Sequence, residues 1–322
     1  MMSGGMIAVV SSELAQRWII GGTLGVLVVA SLIGLLLRIN AKSDRAKLAV
    51  SNLNARNAAW WVMAAILGLA VYIGIGGATV LFAMCSFLAL REMLTLAPTR
   101  RADHETMFWA FFVMLPIQYY LVSIPWYGMY TIFIPIYCFL FIAIRIALAG
   151  DCTDYLSRAA KVQWGVFICV YCVSHMPAIL TLNMPSFGRY PWEMLVWFVI
   201  VVQMSDVFQY VWGKLLGRHK VAPTISPNKT WEGLIGGVLS ATALGVGLYA
   251  ITPFTLWQAA RIGFIVAVLG FFGGIVMSAI KRDAGVKDYG HTIPGHGGVM
   301  DRIDSLAFAA PVFFHVVRYW FT

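Results

Sequence analysis

Ten apolar runs, each close to the ~20 residues a helix needs to cross a bilayer, constrain this chain more than any other feature. They fall near 18–38, 58–75, 77–96, 106–124, 127–148, 162–182, 192–213, 232–251, 258–280 and 303–321. The first is too long for a signal-peptide core and lacks a small-residue cleavage site, so it reads as a spanning helix. Only Gly74-Ile75-Gly76-Gly77 separates the second run from the third, which makes them a hairpin or a re-entrant pair. Charged residues make up 11% of the 322 and mean hydropathy is +0.80. A soluble domain carries about a quarter charged residues. So few charges cannot cover a water-facing surface, and lipid must be the solvent. The expected fold class is all-α: a polytopic transmembrane helical bundle of about 9–10 spanning helices.

The +9 net charge then reports orientation and attraction to anionic lipid or phosphorylated substrate, not nucleic acid. If the ten runs alternate, one face receives the loops near 38–57, 91–105, 145–161, 214–230 and 281–302. These hold five, three, three, four and four of the 23 Lys and Arg residues, leaving only Arg17, Arg189, Arg261 and Arg318 for the other face. By the positive-inside rule the basic face is cytoplasmic, and both termini lie outside. The expected organisation is an N-terminal helix with a basic, surface-lying connector (1–57), followed by one membrane domain (58–322). Compact loops suggest a bacterial inner membrane.

The five cysteines mostly sit inside apolar runs and suggest no disulfide framework. Cys169, Cys172 and His175 form a C-x-x-C-x-x-H stretch, but with no second ligand pair nearby they read as buried small residues rather than a zinc site.

Two loops on the basic face carry the chemistry. The first begins inside an apolar run, at Asp206. An acid there is costly and hence functional or paired. Asp206, Gln209, Tyr210 and Gly213 recur at helical spacing and share one face. Downstream come Lys214, Gly217, Arg218 and then Ser226-Pro227-Asn228-Lys229-Thr230. Thr230 suits a helix N-cap, and the free amides behind it, with Lys229, make an expected anion site.

The second loop packs acids, bases, two histidines and a glycine run into the stretch from Ser278 to Asp304. Asp301 and Asp304 are three apart and share a helix face. Asp288, Asp301, Asp304 and Asp206 are hard oxygen donors suited to Mg2+ rather than zinc. Lys281, Arg282, Lys287 and Arg302 can hold phosphates. No Ser-His-Asp set or reactive thiol is apparent.

These 27 positions spell S-x-x-K-R-x(4)-K-D-x-G-x(2)-I-P-x-H-G-G-x-x-D-R-x-D. That spacing resembles the signature of the phosphatidate cytidylyltransferase (CDP-diacylglycerol synthase) family. The Asp206…Gly233 stretch is also similar, with one departure: Gln209 stands where a small residue is expected before Tyr210. The resemblance is strong from about residue 195 onward, weak over the middle helices and absent from the first 55 or so residues. It implies that CTP and membrane phosphatidate react with Mg2+ to give CDP-diacylglycerol and pyrophosphate, and it makes a homodimer plausible. It implies metal ligands among Asp288 and Asp301, supported by Asp304 and Asp206. Lys214, Arg218, Ser226, Lys229 and Thr230 become substrate-binding candidates, with Lys287 toward the triphosphate. Lys281, Arg282 and Arg302 could hold either phosphate, and His296 a phosphate oxygen. The competing expectations are a CTP-dependent enzyme acting on another lipid phosphate, an anion transporter and an inactive scaffold. The charges gather at one face and no internal repeat is apparent, which disfavours the transporter. Every acid and base of the signature is present, which disfavours the scaffold.

Overall fold

The computed structural model describes residues 2–40, 43–96, 100–184, 191–290, 292–293 and 297–322. Ten helices run in chain order: α1 (Met2–Asn40), α2 (Asp44–Ile73), α3 (Ile75–Thr95), α4 (Arg101–Ser123), α5 (Tyr127–Leu148), α6 (Tyr155–Thr181), α7 (Pro191–Leu215), α8 (Trp231–Gly247), α9 (Leu256–Asp283) and α10 (Met300–Phe321). Among the described residues the only sheet is an antiparallel hairpin between α7 and α8, pairing β1 (Lys220–Ala222) with β2 (Ser226–Thr230). The protein is an all-α helical bundle, and eight of its helices are long and apolar enough to cross a membrane. The two that fall short are α8, at 17 residues, and α10, whose first turn carries Asp301, Arg302 and Asp304.

The basic stretch 38–57 differs from the expected surface connector. Helix α2 begins at Asp44, where Ser43 accepts a hydrogen bond from the Ala46 amide, and it runs back antiparallel to α1. Asn57 and Trp61 both donate to Ser31 Oγ, at 2.7 and 3.1 Å. A good N-cap followed by helix-forming Ala, Lys, Arg and Leu residues lets the helix extend well beyond its apolar part. At Gly74 (φ 93°) α2 gives way to α3, so the second and third runs are separate helices.

Four of the five loops predicted for one face, all but 38–57, are joined by contacts among the described residues. Arg100, before α4, reaches Asp151 beyond α5 at 3.3 Å. Arg158 of α6 pairs with Asp103 of α4 at 2.6 Å, both side chains buried. Its Nη1 also donates to the carbonyls of Asp151 and Thr153. Arg282 at the end of α9 donates to the Ile225 carbonyl in the hairpin turn.

Small residues allow the helices of the second half to approach closely. Gly233, Gly236 and Gly237 of α8 lie against Gln209 and Trp212 of α7, and Gly270, Gly273 and Gly274 of α9 lie against α10 and Lys229. Cys169, Cys172 and His175 are buried in α6. Cys169 Sγ faces the sulfurs of Met93 and Met300, and His175 Nδ1 lies 2.8 Å from the Tyr171 carbonyl. Among the described residues no metal-binding group of three forms there.

The Asp103–Arg158 pair pins α4 to α6 at the basic end. Removing its acid strands a buried guanidinium, so Asp103→Ala should lower unfolding free energy by ~2 kcal/mol. Denaturant unfolding in detergent, compared with the wild type, measures that loss.

Candidate active site

Asp206 sits about four turns into α7, and its Oδ2 accepts a 2.8 Å hydrogen bond from Ser305 Oγ on α10. Ser305 also faces Asp304: its amide donates to Asp304 Oδ1 at 2.8 Å and its hydroxyl lies 3.4 Å from the same oxygen. One serine therefore joins two acids from different helices. Lys229 enters from β2, with its ammonium donating to the Phe271 carbonyl at 3.0 Å and lying over the Phe271 ring. That position exists because residue 274 is glycine; a Cβ there would stand 2.6 Å from Nζ. Burial pulls the Lys229 pKa below the ordinary lysine value, while Asp206 and Asp304 beside it act in the opposite sense.

Asp301 lies one turn before Asp304, on the same face. Its Oδ1 accepts from Lys281 Nζ at 2.9 Å, and its Oδ2 accepts from the amides of Tyr289 and Gly298 at 2.9 and 3.0 Å. Asp301 thus closes the signature loop from inside. Gly297, at φ 86°, brings the loop back past that carboxylate: a Cβ there would lie 3.0 Å from Oδ2. Arg302 is within electrostatic range of Asp206; its carbonyl accepts from Gln203, and its Nε is buried without a hydrogen-bond partner.

The structure therefore brings together Asp206, Lys229, Lys281, Asp301, Arg302 and Asp304. It leaves others at the rim. Lys214, Arg218, Lys287 and Asp288 are exposed, and Ser226 is half-buried in β2. Arg282 is held by the carbonyls of Ile225 and Val286. His296 lies outside the described residues.

The expected anion site at the start of α8 is filled by the protein itself. Thr230 does cap, accepting from the Gly233 amide. The Trp231 amide donates to the His219 carbonyl, and Glu232 takes the amides of Arg218 and His219 together with the His219 ring. Lys229 points away from that helix start, toward the acids. The supposed single stripe on α7 also divides. Asp206 faces α10, Gln209 and Gly213 face α8, and Tyr210 is exposed. A stripe spread over about 100° of helix surface meets more than one neighbour. Gln209 is buried, donates to Ser205 Oγ at 2.7 Å and lies against Gly237, so its bulk is absorbed between α7 and α8.

Two participants escaped the sequence reading. Ser305 carries no signal of its own beside two aspartates. Glu92 of α3 accepts from Thr292 Oγ1 (2.6 Å), the Val299 amide (3.0 Å) and the Met300 amide (2.9 Å). It is an acid inside an apolar run, the same signal that singled out Asp206.

Against this geometry the comparisons with known proteins are specific. The cytidylyltransferase family profile matches residues 54–320, and the chain belongs to that family. It is 41% identical over 241 residues to the Uncharacterized protein YnbB of Escherichia coli K12, covering 74% of this chain and 78% of that one. It is also 41% identical over 115 residues to the Phosphatidate cytidylyltransferase of Staphylococcus haemolyticus, and 39% identical over 115 residues to that of Staphylococcus aureus strain COL. Those matches cover 35% of this chain and 44% of each staphylococcal protein. The protein is thus a multi-pass membrane member of a nucleotidyltransferase family.

Gly237→Ala would put a methyl 2.3 Å from Gln209 Cγ and 2.8 Å from its backbone nitrogen. Backbone cannot yield as a side chain can, so α7 and α8 must part, at a cost of about 1–3 kcal/mol. A melting temperature in detergent unchanged from wild type would contradict that packing.

Proposed function

We propose that this protein transfers the cytidylyl group of CTP to the phosphate of phosphatidate, giving CDP-diacylglycerol and pyrophosphate. The observation that carries this reading is the meeting of Asp206, Asp301 and Asp304 with Lys229, Lys281 and Arg302 at the basic end of the bundle, in a chain holding the full family signature. The attacking group is a lipid phosphate oxygen. Its second pKa is roughly 6, so near neutral pH it is largely dianionic and needs no strong base. It forms a bond to the α-phosphorus of CTP as the bond to the bridging oxygen breaks, and pyrophosphate leaves with that electron pair. The difficulty is to bring polyanions together and to neutralise charge on the α-phosphoryl and leaving groups.

Arg302 offers an unspent buried donor for that task, Lys229 a cation already directed at the acids, and Lys281 a cation held ready by Asp301. The exposed Lys214, Arg218 and Lys287 would meet the triphosphate tail, and Ser226 is half-buried in β2. The donor set fits magnesium, which commonly takes one or two protein carboxylates and completes its shell with water and phosphate. Asp206 and Asp304 each have an oxygen without a hydrogen bond to the protein, and they would hold it. Asp301 already accepts from Lys281 and two amides and would support the pair from beside it, Asp288 lies on the exposed loop, and among the described residues no three acids form one ligand set. When bound, the metal supplies charge neutralisation at the transferring phosphoryl group. This reading puts the Asp206–Asp304 pair ahead of Asp288 and Asp301, the reverse of the order expected from the signature.

The same reading puts the site on the cytoplasmic side of a bacterial inner membrane, where CTP is found and where the positive-inside rule places the basic loops. The acyl chains stay in lipid while the headgroup reaches the recess beside α10.

Purified protein in detergent, given CTP and phosphatidate, is expected to release pyrophosphate and CDP-diacylglycerol together, and to stop when magnesium is chelated. Turnover of CTP on a different lipid phosphate but not on phosphatidate would overturn the assignment of acceptor. Asp301→Asn removes the charge facing Lys281 and should reduce turnover at least 100-fold, the scale of losing a preorganised charge contact. Membrane insertion should persist while stability falls, because Lys281 loses its partner, so turnover is read per folded protein; retained activity would take Asp301 out of the site.

A further inference from the structure

Helix α10 carries Asp301 and Asp304, yet it has no cap of its own. Its N-cap residue is Val299, which has no side-chain acceptor. A helix start leaves amide hydrogens unpaired, and burying them without partners is destabilising. In this protein the acceptor comes from α3, about two hundred residues earlier. Glu92 takes the Val299 and Met300 amides and the Thr292 hydroxyl, so both of its oxygens are engaged. The side chain is buried, at 5% exposure. The fit is close. A Cβ on Gly298 would lie 2.4 Å from Glu92 Oε2, and one on Gly290 would lie 3.0 Å from Oε1, so these two glycines leave the room the carboxylate occupies.

The signature loop is thus gripped by two carboxylates. Asp301 ties Tyr289 and Gly298 from within, while Glu92 ties Thr292, Val299 and Met300 from outside. The two sets of bonds interleave along the chain, so neither grip can loosen without the other. Asp301 follows directly on Met300, whose amide Glu92 holds. A negative charge at a helix start is also favoured by the helix dipole.

We propose that Glu92 is a positioning residue of the active site, setting where the first turn of α10 presents Asp301 and Asp304. This rests on the cytidylyltransferase reading above and extends it to a helix far from the signature in sequence. The role requires a carboxylate, because all three partners donate. A glutamine would turn its own NH2 toward one of them.

The test is Glu92→Gln in the full-length protein in detergent, read in two ways. Supporting partners of a metal site typically contribute 10–100-fold to activity or metal affinity. The variant should therefore lose about tenfold or more in kcat, and the magnesium concentration for half-maximal rate should rise about tenfold. A merely structural defect would lower the active fraction without moving that magnesium midpoint. Independently of activity, hydrogen exchange of the amides at 299–300 should quicken in Glu92→Gln, while α7 and α8 exchange as in the wild type. Unchanged exchange at 299–300, or an unchanged magnesium midpoint in a folded variant, overturns the proposal. If the wild type shows no CTP-dependent turnover, it is the proposed function that fails, and the exchange measurement still judges the grip of Glu92. Should Glu92→Gln not fold, Thr292→Val removes one donor and keeps the charge. It should shift the magnesium midpoint in the same direction, and a wild-type midpoint there overturns the proposal.

Discussion

Lys281 and Asp301 meet at 2.9 Å where the last turn of α9 comes alongside the first turn of α10, and the polar end of the bundle is arranged around that contact. Neither group could be left alone at this depth, because both side chains are largely buried and an unpaired charge there is expensive. The pair also fixes register. Asp301 takes the Tyr289 and Gly298 amides on its other oxygen, so the contact that neutralises Lys281 also folds the loop between the helices. Tyr289 in turn sends its hydroxyl to the Met277 carbonyl, one turn below Lys281, and the loop is stitched to the helix it leaves. Asp304 and Ser305 then fall where Asp206 can reach them.

The sequence made the class of fold plain, because a chain with so few charges has one physical solution in lipid. The sidedness of the loops was readable for the same reason: Lys and Arg collect on one face, and the contacts Arg100–Asp151 and Arg282–Ile225 join loops predicted to share it. The acids of the site were readable because an aspartate in or beside an apolar helix is costly. What periodicity could not supply was direction. Asp206, Gln209 and Tyr210 occupy one stretch of α7, but which neighbour each would face depends on where α8 and α10 pack. Lys229 stands beside a helix start and turns away from it, since the His219 carbonyl and Thr230 already take the Trp231 and Gly233 amides and Gly274 opens a space on the other side. The extent of α2 was hidden because its first turns are polar, and hydropathy sees only the part that faces lipid.

Glu92 shows a different limit. Its acid character inside an apolar run was visible, but its partners are the backbone amides of residues some two hundred positions away. Backbone donors leave no trace in side-chain patterns. The hint lay in what α10 lacks: a helix whose N-cap is valine must find its acceptor elsewhere. Local inconsistencies of this kind point toward long-range contacts.

The charges themselves say what the site is waiting for. Asp206, Asp301 and Asp304 lie among Lys229, Lys281 and Arg302, so the charges inside already have opposite neighbours. A nucleoside triphosphate and a lipid phosphate would together add several negative charges, and two of the three half-buried cations, Lys229 and Lys281, are already committed to a carbonyl and an acid. Further positive charge in these loops is exposed, on Lys214, Arg218 and Lys287 among others. Those side chains can meet the outer phosphates, but they do not reduce the charge beside Asp206 and Asp304. A small divalent cation arriving with the nucleotide would do so, turning two acids from a repulsive wall into ligands. On the proposed reading, the metal would therefore enter together with the nucleotide. On that reading the Asp206–Asp304 pair, bridged by Ser305, would be better suited to hold it than Asp301, whose oxygens already accept from Lys281 and two amides.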